Sequence, residues 1–128
     1  PETEVLLPAL EGDLLAAISA SFDGTLDRHP LACKPGVVID VVLAAGGYPG
    51  DIQKGVPITG IADADALVFH AGTEIRNGQL VVSGGRVLNV VAHGADLAAA
   101  QRKAYAACEK IHFAGRQYRR DIGGRPGA

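Results

Sequence analysis

Thr73-Glu74-Ile75-Arg76-Asn77-Gly78-Gln79-Leu80-Val81-Val82-Ser83 decides the fold class of this 128-residue chain. Two short runs with apolar residues in them flank Asn-Gly. That dipeptide accepts positive φ at both central positions of a tight turn, so it predicts a two-residue β-hairpin. Upstream, Leu67-Val68-Phe69-His70-Ala71 reads as a strand. Downstream, Gly84-Gly85 closes the hairpin, and Arg86-Val87-Leu88-Asn89-Val90-Val91-Ala92 forms a further strand. Neighbours joined by tight turns pair antiparallel.

Further out, Gly36 to Ala44 is β-branched and nearly all apolar, as expected of a strand buried on both faces. Asp40 interrupts it. A lone buried carboxylate is costly, so Asp40 is expected to point outward or to find a donor. The next run, Ala44-Ala45-Gly46-Gly47-Tyr48-Pro49-Gly50-Asp51, suits neither helix nor regular strand and predicts a sharp turn around Pro49. Ile52 to Gly60 reads as a polar loop with Lys54 exposed.

Both ends read as helical. Leu7, Leu10, Leu14, Ile18 and Phe22 recur at spacings of three and four, which predicts one helix with a core-facing stripe, starting around Pro8 to Leu10 and stopped by Asp23-Gly24. Residues 25 to 35 form a loop. Asp96 is placed to cap a helix running from Leu97 to Ile111, whose stripe contains Leu97, Ala100, Ala104, Ala107, Cys108 and Ile111. A short extended tail follows from His112 to Arg120, then a frayed end at Gly123–Ala128. The order is helix, strand, long loop, about four strands, helix. That is an α+β domain with a mainly antiparallel sheet and flanking helices, a single domain over residues 1–128. No βαβ crossover suggests a dinucleotide fold.

Composition narrows the function. Apolar residues make up 48% and charged residues 20%, a globular balance, and the net charge is −2. Arg116, Arg119, Arg120 and Arg125 make a small basic group, but there is no excess to displace counterions, so nucleic-acid binding is not expected. No apolar run reaches the ~18 residues of a membrane span. Cys33 and Cys108 are far apart and are expected to be reduced core thiols of a cytoplasmic protein.

No catalytic set is visible. His29, His70, His93 and His112 lack zinc spacing, the serines lack a nucleophile elbow, and no Walker loop is present. The Gly46–Asp51 run could turn backbone N–H groups toward an anion, or could be a tight connection and nothing more. Gly84-Gly85-Arg86 combines close approach with a guanidinium that can grip a phosphate; the alternative is an Arg paired with a carboxylate. His70 reads as a hydrogen-bonded core residue more readily than as a ligand, and Arg119 and Asp121 as paired with each other or with other surface groups.

The order of several blocks adds to this. Pro1-Glu2-Thr3, Val5-Leu6-Leu7-Pro8, Leu43 through Asp51, Lys54-Gly55, Ile58-Thr59-Gly60, Val68 through Thr73, Gly84 through Leu88, Lys103-Ala104-Tyr105, Ile111-His112-Phe113 and Tyr118-Arg119 with Asp121-Ile122-Gly123 run in sequence across the chain. In that order they resemble the glycinamide ribonucleotide synthetase family, the phosphoribosylamine–glycine ligases. The resemblance implies the carboxy-terminal domain of an ATP-grasp ligase. It also implies that the magnesium-binding residues and the ATP-binding lysines lie upstream of Pro1-Glu2, which match the end of the family's Arg-Phe-Gly-Asp-Pro-Glu signature.

The implied reaction joins glycine to 5-phosphoribosylamine in de novo purine synthesis, through an acyl phosphate made from ATP with Mg2+ or Mn2+. This chain would bind no cofactor by itself and would be inactive alone. On the same footing Arg86 and Lys54 are expected at the substrate phosphate, and Gly47, Tyr48, Gly85, His70 and Thr73 along the substrate pocket. Glu74 stands where the family commonly has Lys, so either it faces away from the phosphate or the basic role has moved to Arg76. A different class of reading is a non-catalytic binding or assembly module built on the same domain.

Overall fold

The computed structural model describes residues 1–124. Helices α1 (Glu2–Ala9), α2 (Leu14–Asp23) and α3 (Leu97–Lys110) accompany seven strands. These are β1 (Leu10–Glu11), β2 (Ala32–Cys33), β3 (Val37–Ala44), β4 (Leu67–His70), β5 (Thr73–Arg76), β6 (Gln79–Val82) and β7 (Arg86–Gly94). All pairings are antiparallel. The expected α+β class holds, but the strands divide into a three-stranded sheet β3-β7-β4 and two separate pairs, β1-β2 and β5-β6.

β7 is central and paired on both sides, so its side chains from Val87 to Ala92 are buried. On β3 the alternation is plain. Ile39, Val41 and Leu43 face inward, against the small residues Ala100, Ala104 and Ala107 and the Cys108 thiol of α3. Small side chains let a helix lie close to a sheet, and the apolar area removed from water there is the main stabilising contribution. Asp96 caps α3 as expected, accepting from the Ala99 N–H at 2.7 Å. Leu97, counted in the stripe, is half-exposed at the helix start.

The hairpin forms where Asn77-Gly78 placed it, with Arg76 opposite Gln79 and Asn77 at positive φ.

Several expectations fail for identifiable reasons. The single amino-terminal helix is two helices. Gly12 adopts φ +123, Leu10-Glu11 pairs with Ala32-Cys33, and Asp13 starts α2 by accepting from the Ala16 N–H at 2.9 Å. The stripe is therefore not core: Leu7, Ile18 and Phe22 are exposed. The Ile52–Gly60 segment is not simply polar. Val56 and Ile58 are buried, and the segment runs beside β6, with Gly55 N–H donating to Val82 O and Ile58 N–H to Leu80 O. Cys33 is exposed, while Cys108 is buried.

The tail from His112 to Gln117 is tied in by bridges to Thr59 and Ala44, and Phe113 joins the core. From Arg125 on, the expected frayed end lies outside the described residues. Among those residues, no helix is long and apolar enough to cross a membrane.

Asp40 neither reaches solvent nor finds a donor. Both carboxylate oxygens are buried without a partner among the described residues. It lies on the β3 face opposite Ile39 and Val41, toward α1. Burial, and then the charge of Glu4, push its carboxyl from 3.8 up to about 6.

Candidate functional site

A groove of about 440 Å³ opens where the end of β3, the glycine-rich turn, the start of β7 and the tail converge. Val42, Ala44, Tyr48, Arg86, Gln117, Tyr118 and Arg119 line it, together with Pro1. The sheet explains the meeting. The β3–β7 register slips between Leu43 and Ala44, bringing Ala44 opposite Arg86, and Ala45 N–H donates to Gly85 O at 2.8 Å. β7 is buried from Val87 to Ala92, and Arg86, its first residue, is exposed beside the turn.

Two glycines shape the wall. Gly47 has φ +89, and a Cβ there would drive into the Asp51 carbonyl. At Gly85 a Cβ would overlap the Tyr48 ring, so the ring rests against bare backbone. Tyr48 N–H donates to Ala45 O at 3.1 Å and Gly50 N–H to Gly47 O at 2.8 Å, closing two turns in succession. Gln117 clasps this turn from the tail: its Nε2 donates to Ala45 O at 3.1 Å and to Tyr48 O at 2.9 Å, while its backbone pairs both ways with Ala44.

The electrostatics separate the two groove arginines. Arg119 is committed to Asp121, with Nε to Oδ1 at 2.9 Å and a parallel second bond. This is the pairing anticipated for them. Arg86 forms no ion pair or side-chain hydrogen bond among the described residues, so its guanidinium stands open to the groove. Its charge is felt at Glu4, whose carboxyl is held below the usual range first by the Pro1 amine and, more weakly, by Arg86.

Behind the tail, the Arg116 and Arg120 guanidiniums each lie 5.2 Å from the Tyr118 ring centre. The Tyr118 hydroxyl donates to Glu109, and this bond more than the neighbouring arginines holds the Glu109 carboxyl low. Tyr105 Oη donates to Arg119 O at 3.1 Å and accepts from Ile122 N–H at 2.9 Å, fastening the tail to α3.

Of the residues singled out from sequence, Arg86, Tyr48, Gly47 and Gly85 come together here. Lys54 does not line the groove: it is exposed on the segment beside β6, next to Gly55. His70 and Thr73 find each other, Nδ1 to Oγ1 at 3.0 Å, where β4 passes into β5, and they too lie off the groove lining. Arg76 is paired with Glu74. Sequence reading did not assign the tail residues Gln117, Tyr118 and Arg119 to the wall. The available signal was Gln117, a lone amide in a segment otherwise rich in arginine. No group of three or more His, Cys, Asp or Glu side chains is placed to hold a metal among the described residues.

The phosphoribosylglycinamide synthetase C domain family matches residues 38–125. A phosphoribosylamine–glycine ligase of Pseudomonas aeruginosa is 48% identical over 128 residues, which cover 98% of this chain and 30% of that protein. The human trifunctional purine biosynthetic protein adenosine-3 is 44% identical over 129 residues, 98% of this chain and 13% of its own length. A crystal structure of a phosphoribosylamine–glycine ligase from Thermotoga maritima superposes with a TM-score of 0.74 at 38% identity, covering 94% of this chain and 30% of that one. The chain thus spans about 30% of the length of the single-function relatives it matches.

Proposed function

The chain belongs to the phosphoribosylglycinamide synthetase C domain family, and from that premise we propose that it forms one wall of the active site of an ATP-dependent ligase that joins glycine to 5-phosphoribosylamine. The observation that carries the reading is the open Arg86 guanidinium, set in a groove whose other arginine is already paired. A guanidinium offers a planar fork of donors that grips a phosphate through two parallel bonds, and unlike an amine it stays charged at any working pH.

Arg86 holds the phosphate of the ribosylamine, and Tyr48, resting on Gly85 and steered by the Gly47 turn, lies along the sugar. Lys54, His70 and Thr73 reach the substrate only at its periphery, since they stand off the groove lining. Binding of this kind orients the amine for attack on an acyl phosphate held by the remainder of the polypeptide. ATP, glycine and magnesium are met there. The enzyme would work in the cytoplasm on small molecules, with neither nucleic acid nor membrane as partner.

The test is Arg86→Ala in the full-length ligase that carries this chain. Loss of a charge-assisted contact of about 1.5–3 kcal/mol raises KM for the ribosylamine by roughly 10- to 100-fold and leaves KM for ATP unmoved. An unchanged ribosylamine KM removes Arg86 from the phosphate.

A further inference from the structure

The tail and the glycine-rich turn meet as two bare backbones. Gly115, at φ +73, packs on Gly46: a Cβ at Gly46 would stand 3.0 Å from the Gly115 carbonyl oxygen, and a Cβ at Gly115 would stand 3.2 Å from the Gly46 Cα. This approach brings Gln117 level with Ala44, where the two backbones pair in both directions. Two backbone bonds close the turn from within, Tyr48 N–H to Ala45 O and Gly50 N–H to Gly47 O. Pro49 brings no N–H to that stretch. The Gln117 amide adds two bonds from outside, and one of them takes the Tyr48 carbonyl itself. An amide suits this position, since its NH2 carries two donors on one nitrogen.

The tail is itself anchored to α3. The Arg116 guanidinium donates to the Cys108 and Ile111 carbonyls at the end of that helix, and the Tyr105 hydroxyl bonds Arg119 O and Ile122 N–H. Gln117 lies between these fastenings. It therefore joins a helix packed on the core to a turn that is exposed from Gly47 to Asp51. We infer that Gln117 is a positioning residue of the ligase: its amide fixes the backbone from which the Tyr48 ring reaches the wall of the Arg86 groove. The inference rests on the reading of that groove as the ribosylamine site. A wall already held in place need not be ordered when the substrate binds, which favours affinity.

The test uses two variants of the full-length ligase that carries this chain. Gln117→Leu keeps the bulk and loses the donors. Gln117→Glu keeps the shape and sets an ionised, acceptor-only carboxylate against two carbonyl oxygens. KM for the ribosylamine rises about 3- to 10-fold in Gln117→Leu and further in Gln117→Glu, while kcat and KM for ATP stay within about twofold. Without substrate, amide exchange across Gly46–Gly50 quickens at least about tenfold in both variants and that of β7 is unchanged. A ribosylamine KM unmoved by Gln117→Leu overturns the inference. So does a joint rise in the KM values for ribosylamine and ATP, the mark of general loosening. Unchanged exchange at Gly46–Gly50 overturns it as well, since Gln117 would then act by touching the substrate and not through the turn. If Gln117→Leu does not accumulate, Gln117→Glu decides by the same criteria. The groove reading fails when Arg86→Ala leaves the ribosylamine KM unmoved; the Gln117 assignment alone fails when Arg86→Ala raises that KM and Gln117→Leu does not.

Discussion

Gly47 and Gly85 stand on either side of Tyr48, yet substitution at each meets a different obstacle. At Gly47 the obstacle is backbone, the Asp51 carbonyl, and φ is +89. Neither can give way cheaply, so Gly47→Ala costs about 2 kcal/mol or more. At Gly85 the obstacle is an aromatic ring that is 41% exposed and can swing aside. Gly85→Ala therefore costs under about 1 kcal/mol of stability, but moves Tyr48 and raises KM for the ribosylamine in the full-length ligase. Urea denaturation and steady-state kinetics separate the two; equal stability losses would mean that Tyr48 is not free to move. The glycines were visible in the sequence as a sharp turn because they have no other use there. The sequence could mark Gln117 only as a lone amide; its partners, two carbonyls some seventy residues away, have no local signature.

Among the elements, those with local causes were legible. Asn77-Gly78 makes its own turn, and Asp96 with an alanine-rich run makes α3, whatever surrounds them. The amino-terminal helix was misread because a three-and-four spacing continues across Gly12-Asp13, which in fact ends one turn and caps the next. The spacing reports a shared face, not an unbroken helix. The segment from Ile52 to Gly60 looked like loop because its ladder partner, β6, is supplied by tertiary structure.

Asp40 belongs to this scale as well, because it sits between β3 and α1. Its pKa is raised on folding, to about 6. Well below pH 3.8 it is protonated in both states and has no effect. Between about pH 4 and 6 the unfolded chain ionises first, and stability falls. Above that the full penalty applies, on the order of 3 kcal/mol. Asp40→Asn removes the penalty, so the variant's urea midpoint gains on the parent's as pH rises from 4 to 7. A gap that stayed constant with pH would place Asp40 in water.

For the molecule as a whole, stability and apolar exposure are divided between two regions. The β3-β7-β4 sheet with α3 holds the core, and β7 is its axis. Leu88 is fully buried there, so Leu88→Ala costs about 3 kcal/mol. Phe22→Ser in the 128-residue chain changes stability by no more than about 0.5 kcal/mol, although it removes the larger side chain. Parallel urea titrations check the contrast; a large loss at Phe22 would show that α2 is already packed.

The Gln117 clasp has a further consequence, in time. A ribosome that has added Arg116 has already made every strand and α3, but not the side chain that steadies the turn at Gly46–Gly50. The turn at Gly46–Gly50 is thus steadied by a residue made after all of these elements. A polypeptide stopped at Arg116 keeps β7 protected from amide exchange while Gly46–Gly50 exchange fast. The core and the turn can then be told apart in one shortened polypeptide.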